Sequence, residues 1–338
     1  MNSEKTAMFS SYKDGSITCK VCAHNCHLKE GQRGICVVHQ NIAGKLVCLV
    51  YGRLVAENVD PIEKKPLFHV LPGTLSYSIA THGCNFRCSH CQNASISQLE
   101  RKENLMVSGM GRKPEEVVDA AVAAGCRSIS YTYVEPSVFF EYAYDCCVLA
   151  DEQGLKNVFV SNGYMSEQAT KILSPFLSAA NIDIKAFSDS FYKRVCGARL
   201  QPVLDSVRLL KELGVWIEVT TLVIPGLNDS DKELSDIATF LASIDDSIPW
   251  HVSGFYPSYK MMDIAPTSVT ALKRARQIGF ESGLKYVYTG NRPGSGDEDT
   301  LCPGCNHRVI KRHGYRIEAM LLKAGSCPGC GESIPGVW

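Results

Sequence analysis

The sequence has no excess of charge of either sign, because 35 lysines and arginines are balanced by 35 aspartates and glutamates. Without a net field, the charge does not direct the protein to nucleic acid or to an anionic membrane surface. No apolar run approaches the roughly 18 residues that cross a bilayer. The first residues, MNSEKTAMFSSYKDGS, also lack an apolar core of signal-peptide length. We therefore expect a cytoplasmic protein with no membrane partner and no nucleic-acid partner.

Cysteine, in contrast, is abundant, with 16 residues in a chain of 338. In a small secreted protein this number would indicate disulfides, but close spacing in a long chain without an export signal indicates metal ligands. Three groups are apparent: Cys19, Cys22, Cys26 and Cys36; Cys84, Cys88 and Cys91; and Cys302, Cys305, Cys327 and Cys330. We expect the others to be buried as small apolar side chains; they are Cys48, Cys126, Cys146, Cys147 and Cys196.

Short β-rich runs alternate with helical patterns over residues 75–290. The runs cover residues 75–81, 128–134, 156–161, 181–185, 215–223, 250–256 and 284–289. Pro114 and Gly125 suit the two ends of a helix over 114–124, and Ser268 can cap a helix that ends at Gly283. The alternation predicts an α/β fold with parallel strands and right-handed helical crossovers, as a barrel or as an open doubly wound sheet. In both, the carboxyl ends of the strands carry the site.

The cysteine groups divide the chain into three parts. We predict a cysteine-rich metal-binding segment over 1–70, a (β/α) barrel over 71–292 and a zinc-ribbon-like domain over 293–338. Within the first part, residues 45–50 and 53–58 flank Tyr51-Gly52 and suggest a β-hairpin. The Gly-, Pro- and Asp-containing stretch NRPGSGDEDT, residues 291–300, is the expected linker to the last part.

The central triplet places three thiols within the stretch Cys84-Asn-Phe-Arg-Cys88-Ser-His-Cys91, directly after a predicted strand and Gly83. An ordinary [4Fe-4S] cluster takes four thiolates. Three thiolates leave one iron open to a ligand that presents a nitrogen and an oxygen, as the methionyl end of S-adenosylmethionine (SAM) does. The alternative is a structural zinc knuckle with a fourth ligand such as His90. The position at a strand end favours the cluster.

The loop GCNFRCSHCQN resembles the cluster-binding loop of the radical SAM superfamily, and its surroundings resemble the pyruvate formate-lyase activating enzyme branch. With the N-terminal CxxCxxxC, EGQRGIC, DPIEKKP and HVSGFYP, the chain is similar over nearly its whole length to the radical SAM family of the AmmeMemoRadiSam system. The resemblance implies a partial or complete radical SAM barrel, a [4Fe-4S] cluster with SAM at its mouth, and a one-electron donor such as flavodoxin or ferredoxin.

The resemblance also implies contacts with SAM. His90 occupies a position whose backbone helps to hold adenine. Glu135, in YTYVEP, lies where the superfamily has a Gly-Gly-Glu signature whose carboxylate accepts a hydrogen bond from the methionyl ammonium. Tyr133 and Val134 replace the two glycines, so only the carboxylate is carried over. The other interpretation of Glu135 is a carboxylate at a helix N-terminus, stabilised by the helix dipole.

Further candidates follow later strands. Ser161 and Asn162 resemble a strand-end motif near the ribose, but they could only form the turn before a glycine. Asp183 and Lys185 resemble the DxK element that contacts SAM in activating enzymes, but they could be a simple ion pair at the barrel rim. Glu218 is expected to point into the barrel, where a buried carboxylate needs a partner; it could contact SAM or substrate.

The C-terminal cysteines form two CPGC knuckles. Four thiolates on two turns suit structural zinc, and so small a segment needs such a staple. Rubredoxin-like iron is the alternative. The neighbouring basic residues Lys311, Arg312 and Arg316 are expected to form a solvated face.

The N-terminal cysteines also have the spacing of a metal site. Zinc and an auxiliary [4Fe-4S] cluster both remain open, with zinc preferred. A cluster could relay electrons or bind substrate, whereas zinc would attach the N-terminal segment to the barrel.

The sequence therefore predicts an enzyme that cleaves SAM reductively to a 5′-deoxyadenosyl radical, which abstracts hydrogen from an unidentified substrate. One alternative is an activase that acts on a backbone glycine of a partner enzyme. A rival of another class is an iron-sulfur and zinc protein that serves electron transfer or interaction only.

Overall fold

The computed structural model describes residues 5–100, 107–292 and 297–338. Its N-terminal part consists of short strands: β1 (Lys5–Thr6), β2 (Ser10–Lys13), β3 (Ser16–Cys19), β4 (His27–Leu28), β5 (His39–Ile42), β6 (Lys45–Cys48), β7 (Arg53–Leu54) and β8 (Ala56–Pro61). Strands β1, β6 and β5 form one antiparallel sheet, and β2, β3 and β4 form another. Their buried side chains join the hydrophobic core of the rest of the chain.

The central part alternates strands and helices. The strands are β9 (Leu75–Ala80), β10 (Met110–Gly111), β11 (Ser128–Tyr131), β12 (Lys156–Ser161), β13 (Ala179–Asp183), β14 (Trp216–Val223), β15 (Trp250–Gly254) and β16 (Val287–Gly290). The helices are α1 (Ala94–Ser97), α2 (Pro114–Ala123), α3 (Phe140–Glu152), α4 (Glu167–Leu173), α5 (Asp189–Phe191), α6 (Gln201–Glu212), α7 (Asp231–Ile244) and α8 (Val269–Glu281). The predicted β-rich runs correspond to these strands to within a few residues.

The main sheet has eight strands in the order β16-β15-β14-β13-β12-β11-β9-β8. Strand β8 is antiparallel to β9, and all other neighbours are parallel. Because the parallel strands follow one another in chain order, right-handed crossovers place their helices on one face. A doubly wound sheet would need a reversal of strand order. The edge strands β8 and β16 do not pair with each other, so the fold is a partial (β/α) barrel.

The predicted helix boundaries are confirmed where the sequence has capping residues. Helix α2 begins at Pro114, and the Glu116 side chain accepts a hydrogen bond from the Lys113 backbone N–H at 2.7 Å. Helix α8 follows Ser268, whose hydroxyl accepts from the Ala271 N–H at 3.1 Å. These local contacts satisfy backbone donors that the helix itself leaves unpaired, so the sequence alone predicts them.

The predicted hairpin around Tyr51-Gly52 is wrong. Strand β6 pairs with β5 and β1, β7 pairs with β10, and β8 pairs with β9 as the first strand of the main sheet. At Gly52 φ is +65°, and a Cβ atom there would lie 2.8 Å from the Arg112 carbonyl oxygen. After this turn, β7 pairs with β10, which is distant in sequence, and not with β6. The main sheet also begins at Ala56, before the predicted barrel boundary at residue 71.

The extended segment after β8 crosses the inside of the barrel. Asn181 of β13 donates its side-chain amide to the Pro66 carbonyl oxygen at 2.8 Å, and Glu218 of β14 accepts from the Phe68 and His69 backbone N–H groups at 2.9 and 2.8 Å. The segment begins with a 3₁₀ turn, Ile62–Lys64, and inward polar side chains of the sheet satisfy backbone groups of the residues that follow it.

The C-terminal part is a three-stranded antiparallel sheet of β17 (Thr300–Leu301), β18 (Arg308–His313) and β19 (Arg316–Met320). A separate apolar cluster joins it to the barrel through Phe68, Tyr286 and Tyr288. The expectation that Arg312 is solvated is wrong: it is buried and donates to the Phe68 carbonyl oxygen at 2.6 Å and to the Thr300 hydroxyl at 2.7 Å. Residues 293–296 of the predicted linker lie outside the described residues.

The isolated cysteines behave as expected. Cys48, Cys126, Cys146, Cys147 and Cys196 are all buried. Within the described parts of the chain, no helix combines the length and the apolar character needed to cross a bilayer.

Candidate functional site

A cavity of about 560 Å³ lies at the carboxyl ends of the parallel strands. Its wall takes residues from the ends of β11 to β16, from the loop after β9 and from the inner segment between Glu63 and Phe68. The volume is within the range of about 300–1,000 Å³ that ligand pockets occupy. The cavity therefore has room for a small cofactor and part of a substrate.

The loop that follows β9 brings Cys84, Cys88 and Cys91 to this cavity. The loop begins at Gly83, where φ is +96° and a Cβ atom would lie 2.7 Å from Val38 Cγ1. Further along the loop, the Arg87 backbone N–H donates a hydrogen bond to the Cys196 carbonyl oxygen at 2.7 Å. The cysteine side chains thus project from a loop that is packed against two other parts of the chain.

The separations of the three central sulfur atoms differ from those of a close group of metal ligands. Sulfurs around one zinc ion lie about 3.8 Å apart, given a Zn–S bond of about 2.3 Å. Among the described residues, the groups of potential ligands whose atoms all lie within 4.8 Å of one another do not include this triplet. In a four-iron cluster each thiolate binds a different iron, so the sulfurs are further apart. Cys84 Sγ also accepts a hydrogen bond from the Phe86 N–H at 3.4 Å.

Glu135, Ser161 and Asn162 form one hydrogen-bonded group. The Ser161 hydroxyl donates to the Glu135 carboxylate at 3.0 Å, and the backbone N–H groups of Asn162 and Ser137 donate to it at 2.8 and 3.1 Å. Burial raises the pKa of Glu135, although these donors oppose the rise. The Ser137 contact also caps a short 3₁₀ segment, Pro136–Phe139. The carboxylate therefore serves as a cap and still lines the cavity.

Asn162 connects this group to the cysteine loop. Its side-chain amide donates to Asn85 Oδ1 at 2.7 Å, and its own Oδ1 accepts from the Tyr164 N–H at 3.1 Å. At Gly163 φ is +69°, so Ser161 and Asn162 do form the turn before a glycine. The turn interpretation of these residues is therefore confirmed, and both also line the cavity. Asn85 links them to the cysteine loop, a contact that the sequence analysis did not predict.

Tyr133, Asp60 and Lys65 form a second group that the sequence analysis did not predict. Tyr133 has a φ of +64°, a conformation that favours glycine, which gives a physical reason for the glycine of the superfamily signature at this position. The Tyr133 hydroxyl donates to the Asp60 carboxylate at 2.5 Å, Lys65 Nζ pairs with the same carboxylate at 2.6 Å, and Lys65 Nζ lies 4.7 Å from the centre of the Tyr133 ring. Burial lowers the pKa of Lys65, which Asp60 opposes. The sequence signals Tyr133 only as the replacement of a signature glycine, and no sequence pattern signals its contacts with Asp60 and Lys65.

Asp183 and Lys185 form the ion pair that was the alternative interpretation, with Nζ 3.0 Å from Oδ2. Both residues line the cavity. Burial favours a lower pKa of Lys185, but Asp183, Cys88 and Cys196 together outweigh it and hold this pKa well above its ordinary value. Lys185 therefore presents a positive charge to the cavity.

Comparison with known proteins is consistent with this geometry. Residues 78–238 match the profile of the Radical SAM superfamily. An uncharacterized protein of Methanocaldococcus jannaschii is 43% identical over 334 residues, which are 98% of each chain. The pyruvate formate-lyase-activating enzyme of Clostridium pasteurianum is 22% identical over 211 residues, or 61% of this chain and 88% of that enzyme. The crystal structure of Streptococcus suis SuiB bound to precursor peptide SuiA has a similar fold, with a TM-score of 0.52, 12% identity and coverage of 69% of this chain and 52% of SuiB.

The protein belongs to the radical SAM superfamily. Membership and the activating-enzyme relative indicate an enzyme, and the superfamily implies a [4Fe-4S] cluster and SAM. The matched residues contain the cysteine loop, Glu135 and the ends of β11 to β14.

Of the two other predicted SAM contacts of this radical SAM protein, His90 lines the cavity and Glu218 does not. His90 lines the cavity with its side chain almost fully buried, its backbone carbonyl oxygen accepts from the Ser258 hydroxyl at 3.0 Å, and burial lowers its pKa to about 3. Glu218 is fully buried in the barrel but is absent from the cavity wall. Besides the inner segment, it contacts His251 Nε2 at 2.6 Å and Trp216 Nε1 at 3.2 Å. The structure therefore gives Glu218 partners within the protein and does not place it on the wall of the cavity.

The C-terminal cysteines of this radical SAM protein converge on one point. Their sulfur atoms all lie within 4.8 Å of one another, with Cys302 3.5 Å from Cys330 and Cys305 3.6 Å from Cys327. These separations approach the edge length of about 3.8 Å expected around a tetrahedral zinc ion. The group can therefore hold a single metal ion.

The N-terminal cysteines line a small cavity beside the cysteine loop. Cys19 and Cys36 are buried, and Cys22 and Cys26 are partly buried. The structure brings all four together, as the spacing predicted.

Proposed function

We propose that this protein is a radical SAM enzyme that cleaves SAM reductively and removes a hydrogen atom from a substrate held in the 560 Å³ cavity. The observation that carries the proposal is the cysteine triplet at the barrel mouth, on the same cavity wall as Glu135, Asp183 and Lys185. When bound, a [4Fe-4S] cluster and SAM supply a 5′-deoxyadenosyl radical. The protein supplies the ligands, the orientation and the exclusion of water.

The thiolates of Cys84, Cys88 and Cys91 would hold the cluster. Burial raises the pKa of the Cys84 thiol, so a buried thiolate there needs positive charge beside it. Superfamily resemblance assigns the remaining iron to the amino and carboxylate groups of SAM.

Glu135 would accept a hydrogen bond from the methionyl ammonium. A carboxylate offers about four acceptor positions, and three donors, from Ser137, Ser161 and Asn162, already occupy it. The Ser161 hydroxyl lies 3.0 Å from both carboxylate oxygens, so it can donate to one of them and leave a position on the other for the ammonium. The three donors hold the carboxylate in one orientation, so Ser161 and Asn162 act as positioning residues.

Asp183, Lys185 and His90 would contact other polar parts of SAM. Lys185 carries a buried positive charge that suits the SAM carboxylate or ribose oxygens, and Asp183 fixes its orientation. The His90 backbone is held by Ser258, which suits its predicted role beside adenine.

The test is an anaerobic assay of reconstituted protein with SAM and dithionite. We expect 5′-deoxyadenosine, and its loss in Cys88→Ala. Cys126→Ala, a buried cysteine outside the cavity, is the matched control and should retain turnover. An iron cluster that is reduced without any cleavage of SAM would instead support the rival electron-transfer function.

A protein or peptide is the second candidate substrate. The relatives include a pyruvate formate-lyase-activating enzyme, and SuiB was solved with a precursor peptide. The cavity wall also carries Lys64, Lys65 and Tyr133, which suits a polar substrate. Activation of a partner protein is therefore the alternative we retain, and a tritium or deuterium transfer from partner protein into 5′-deoxyadenosine would test it.

Three further assignments complete the proposal. The C-terminal knuckles would hold structural zinc, on the basis of their sulfur separations. A flavodoxin- or ferredoxin-type protein would supply single electrons in the cytoplasm. The sequence likeness to the AmmeMemoRadiSam family would place the protein in that group. Metal analysis and a reductase-coupled assay test the first two of these.

A further inference from the structure

Three side chains that can bind a metal ion meet in the core, between the N-terminal strands and helix α3. They are His39 of β5, Cys48 of β6 and Glu141 of α3, and one ligand atom of each lies within 4.8 Å of those of the other two. Their exposed fractions are 1%, 0% and 0%. Cys48 belongs to none of the three cysteine groups, and none of these side chains lines the SAM cavity. The group is therefore separate from the catalytic site.

Two of the three ligand atoms are buried and unpaired. In the described parts of the chain, neither His39 Nε2 nor Glu141 Oε2 has a hydrogen-bond partner. The other atoms of these two side chains are engaged, since Glu141 Oε1 accepts from the Met8 backbone N–H at 3.0 Å and His39 Nδ1 lies 3.5 Å from Cys36 Sγ. A buried polar atom without a partner is destabilising. Two such atoms that face each other therefore indicate a position for a cation.

The distance between these two atoms suits a metal ion better than a proton. His39 Nε2 lies 3.7 Å from Glu141 Oε2, whereas a charge-assisted N–H···O hydrogen bond measures about 2.7–2.9 Å. Zinc, with bonds of about 2.0–2.1 Å to nitrogen and oxygen, holds two such ligands about 3.4 Å apart at the tetrahedral angle.

The other ring nitrogen of His39 has a partner that fixes its role. Cys36 is a predicted metal ligand, and a thiolate can only accept, so we assign the ring proton to Nδ1. Nε2 then presents a lone pair toward the Glu141 carboxylate. A histidine that donates one N–H to an anionic group and offers its second nitrogen is the usual arrangement of a metal ligand.

We propose that His39 Nε2, Cys48 Sγ and Glu141 Oε2 bind one zinc ion. Nitrogen, sulfur and carboxylate oxygen are all ligands that zinc accepts. The Cys48 thiol loses its proton to solvent when the ion binds. The thiolate and the carboxylate then balance the two positive charges of zinc, so the buried site is neutral. The Val138 carbonyl oxygen, 4.0 Å from Cys48 Sγ, can supply a fourth ligand.

The ion is structural, because its three side-chain ligands are buried. It joins two parts of the fold: β5 and β6 belong to the N-terminal antiparallel sheet, and Glu141 lies in the first turn of α3. Helix α3 directly follows the short 3₁₀ segment that Glu135 caps. Zinc therefore fixes the N-terminal sheet to the helix that follows Glu135.

Anomalous diffraction on either side of the zinc absorption edge tests the site in the unaltered protein. We expect a zinc peak about 2.0–2.3 Å from each of the three ligand atoms in crystals of protein supplied with zinc. Absence of a peak, with His39 and Glu141 paired through a proton alone, would overturn the site. A peak at the iron edge in this position would overturn the choice of zinc.

Metal analysis of variants gives a second measurement. After dialysis against a weak chelator, Cys48→Ala and Glu141→Gln should each contain about one zinc ion per chain fewer than the wild type, with unchanged iron. Cys146→Ala, a fully buried cysteine of α3 outside the group, is the matched control and should keep the wild-type content. Circular dichroism identifies the variants that fold, and wild-type zinc content in a folded variant would overturn the proposal. Because iron is counted separately, failure of SAM cleavage leaves this result unchanged.

Discussion

The substitution Glu218→Gln tests whether the Glu218 carboxylate stabilises the fold or contacts SAM. Glu218 is fully buried and accepts from the Phe68 and His69 backbone N–H groups at 2.9 and 2.8 Å, with His251 Nε2 2.6 Å away. Glutamine keeps one oxygen but replaces the other by an NH₂ group, which is a donor. Two contacts would then lose their acceptor: either the Phe68 N–H and His251 contacts, or the His69 N–H and Trp216 Nε1 contacts.

The expected cost follows from the number of partners lost. A buried donor without an acceptor costs about 1–3 kcal/mol. Two such losses amount to about 2–6 kcal/mol of the free energy of unfolding. The Glu218→Gln variant should therefore be strongly destabilised, because the inner segment also joins the barrel to the C-terminal sheet through Phe68.

Anaerobic urea unfolding measures this effect, with SAM affinity determined in parallel by equilibrium dialysis below the unfolding midpoint. Glu152→Gln, at an exposed position near the end of α3, is the matched control and should change stability by less than about 0.5 kcal/mol. If Glu218→Gln unfolds like the wild type but binds SAM weakly, the structural assignment is wrong and the carboxylate is a SAM contact.

Three further predictions concern other parts of the chain. Burial lowers the pKa of His69 from 6.5 to about 4. Between these pH values His69 is therefore protonated in the unfolded chain and neutral in the folded chain. Stability should fall by about 3 kcal/mol as the pH decreases from 6.5 to 4, and His69→Gln should reduce this slope in urea titrations. Gly83→Ala places a Cβ atom 2.7 Å from Val38 Cγ1 and should lower stability and cluster content more than Gly125→Ala, whose Cβ atom meets nothing within 4 Å; equal effects would refute the packing argument. A zinc chelator should increase hydrogen exchange in β17 to β19, because the metal would join the two knuckles; unchanged exchange after metal loss would contradict a structural role.

Local patterns in the sequence account for much of this protein. The alternation of β-rich and helical segments predicted the strands, since each segment has its own periodicity and its own capping residues, such as Pro114 and Ser268. The cysteine loop was recognisable because its ligands lie within a few residues of one another. Glu135 and Ser161 follow from the rule that parallel strands end at one edge, and the structure places them in hydrogen-bond contact.

Contacts between distant residues were decided only by the tertiary structure. The predicted hairpin at Tyr51-Gly52 is absent because β8 finds its partner in β9, and Arg312 is buried because the inner segment offers it the Phe68 carbonyl oxygen. Glu218 does point into the barrel, as the alternation of side chains predicted, but the backbone of a distant segment occupies that space. Strand periodicity specifies the direction of a side chain and not the group that meets it.

The cysteine groups show the same division between sequence and structure. Their spacing predicts three metal sites, because ligands a few residues apart in sequence remain close in any fold. Their spacing does not specify which metal each site holds, since that depends on the distances between sulfurs on separate turns. The C-terminal sulfurs converge to 3.5 and 3.6 Å across two knuckles, whereas the central sulfurs lie on the wall of a cavity of about 560 Å³. Only the tertiary structure decides these arrangements, because the sheet of β17 to β19 brings the two knuckles together and the central loop packs at Gly83, where a Cβ atom would lie 2.7 Å from Val38 Cγ1.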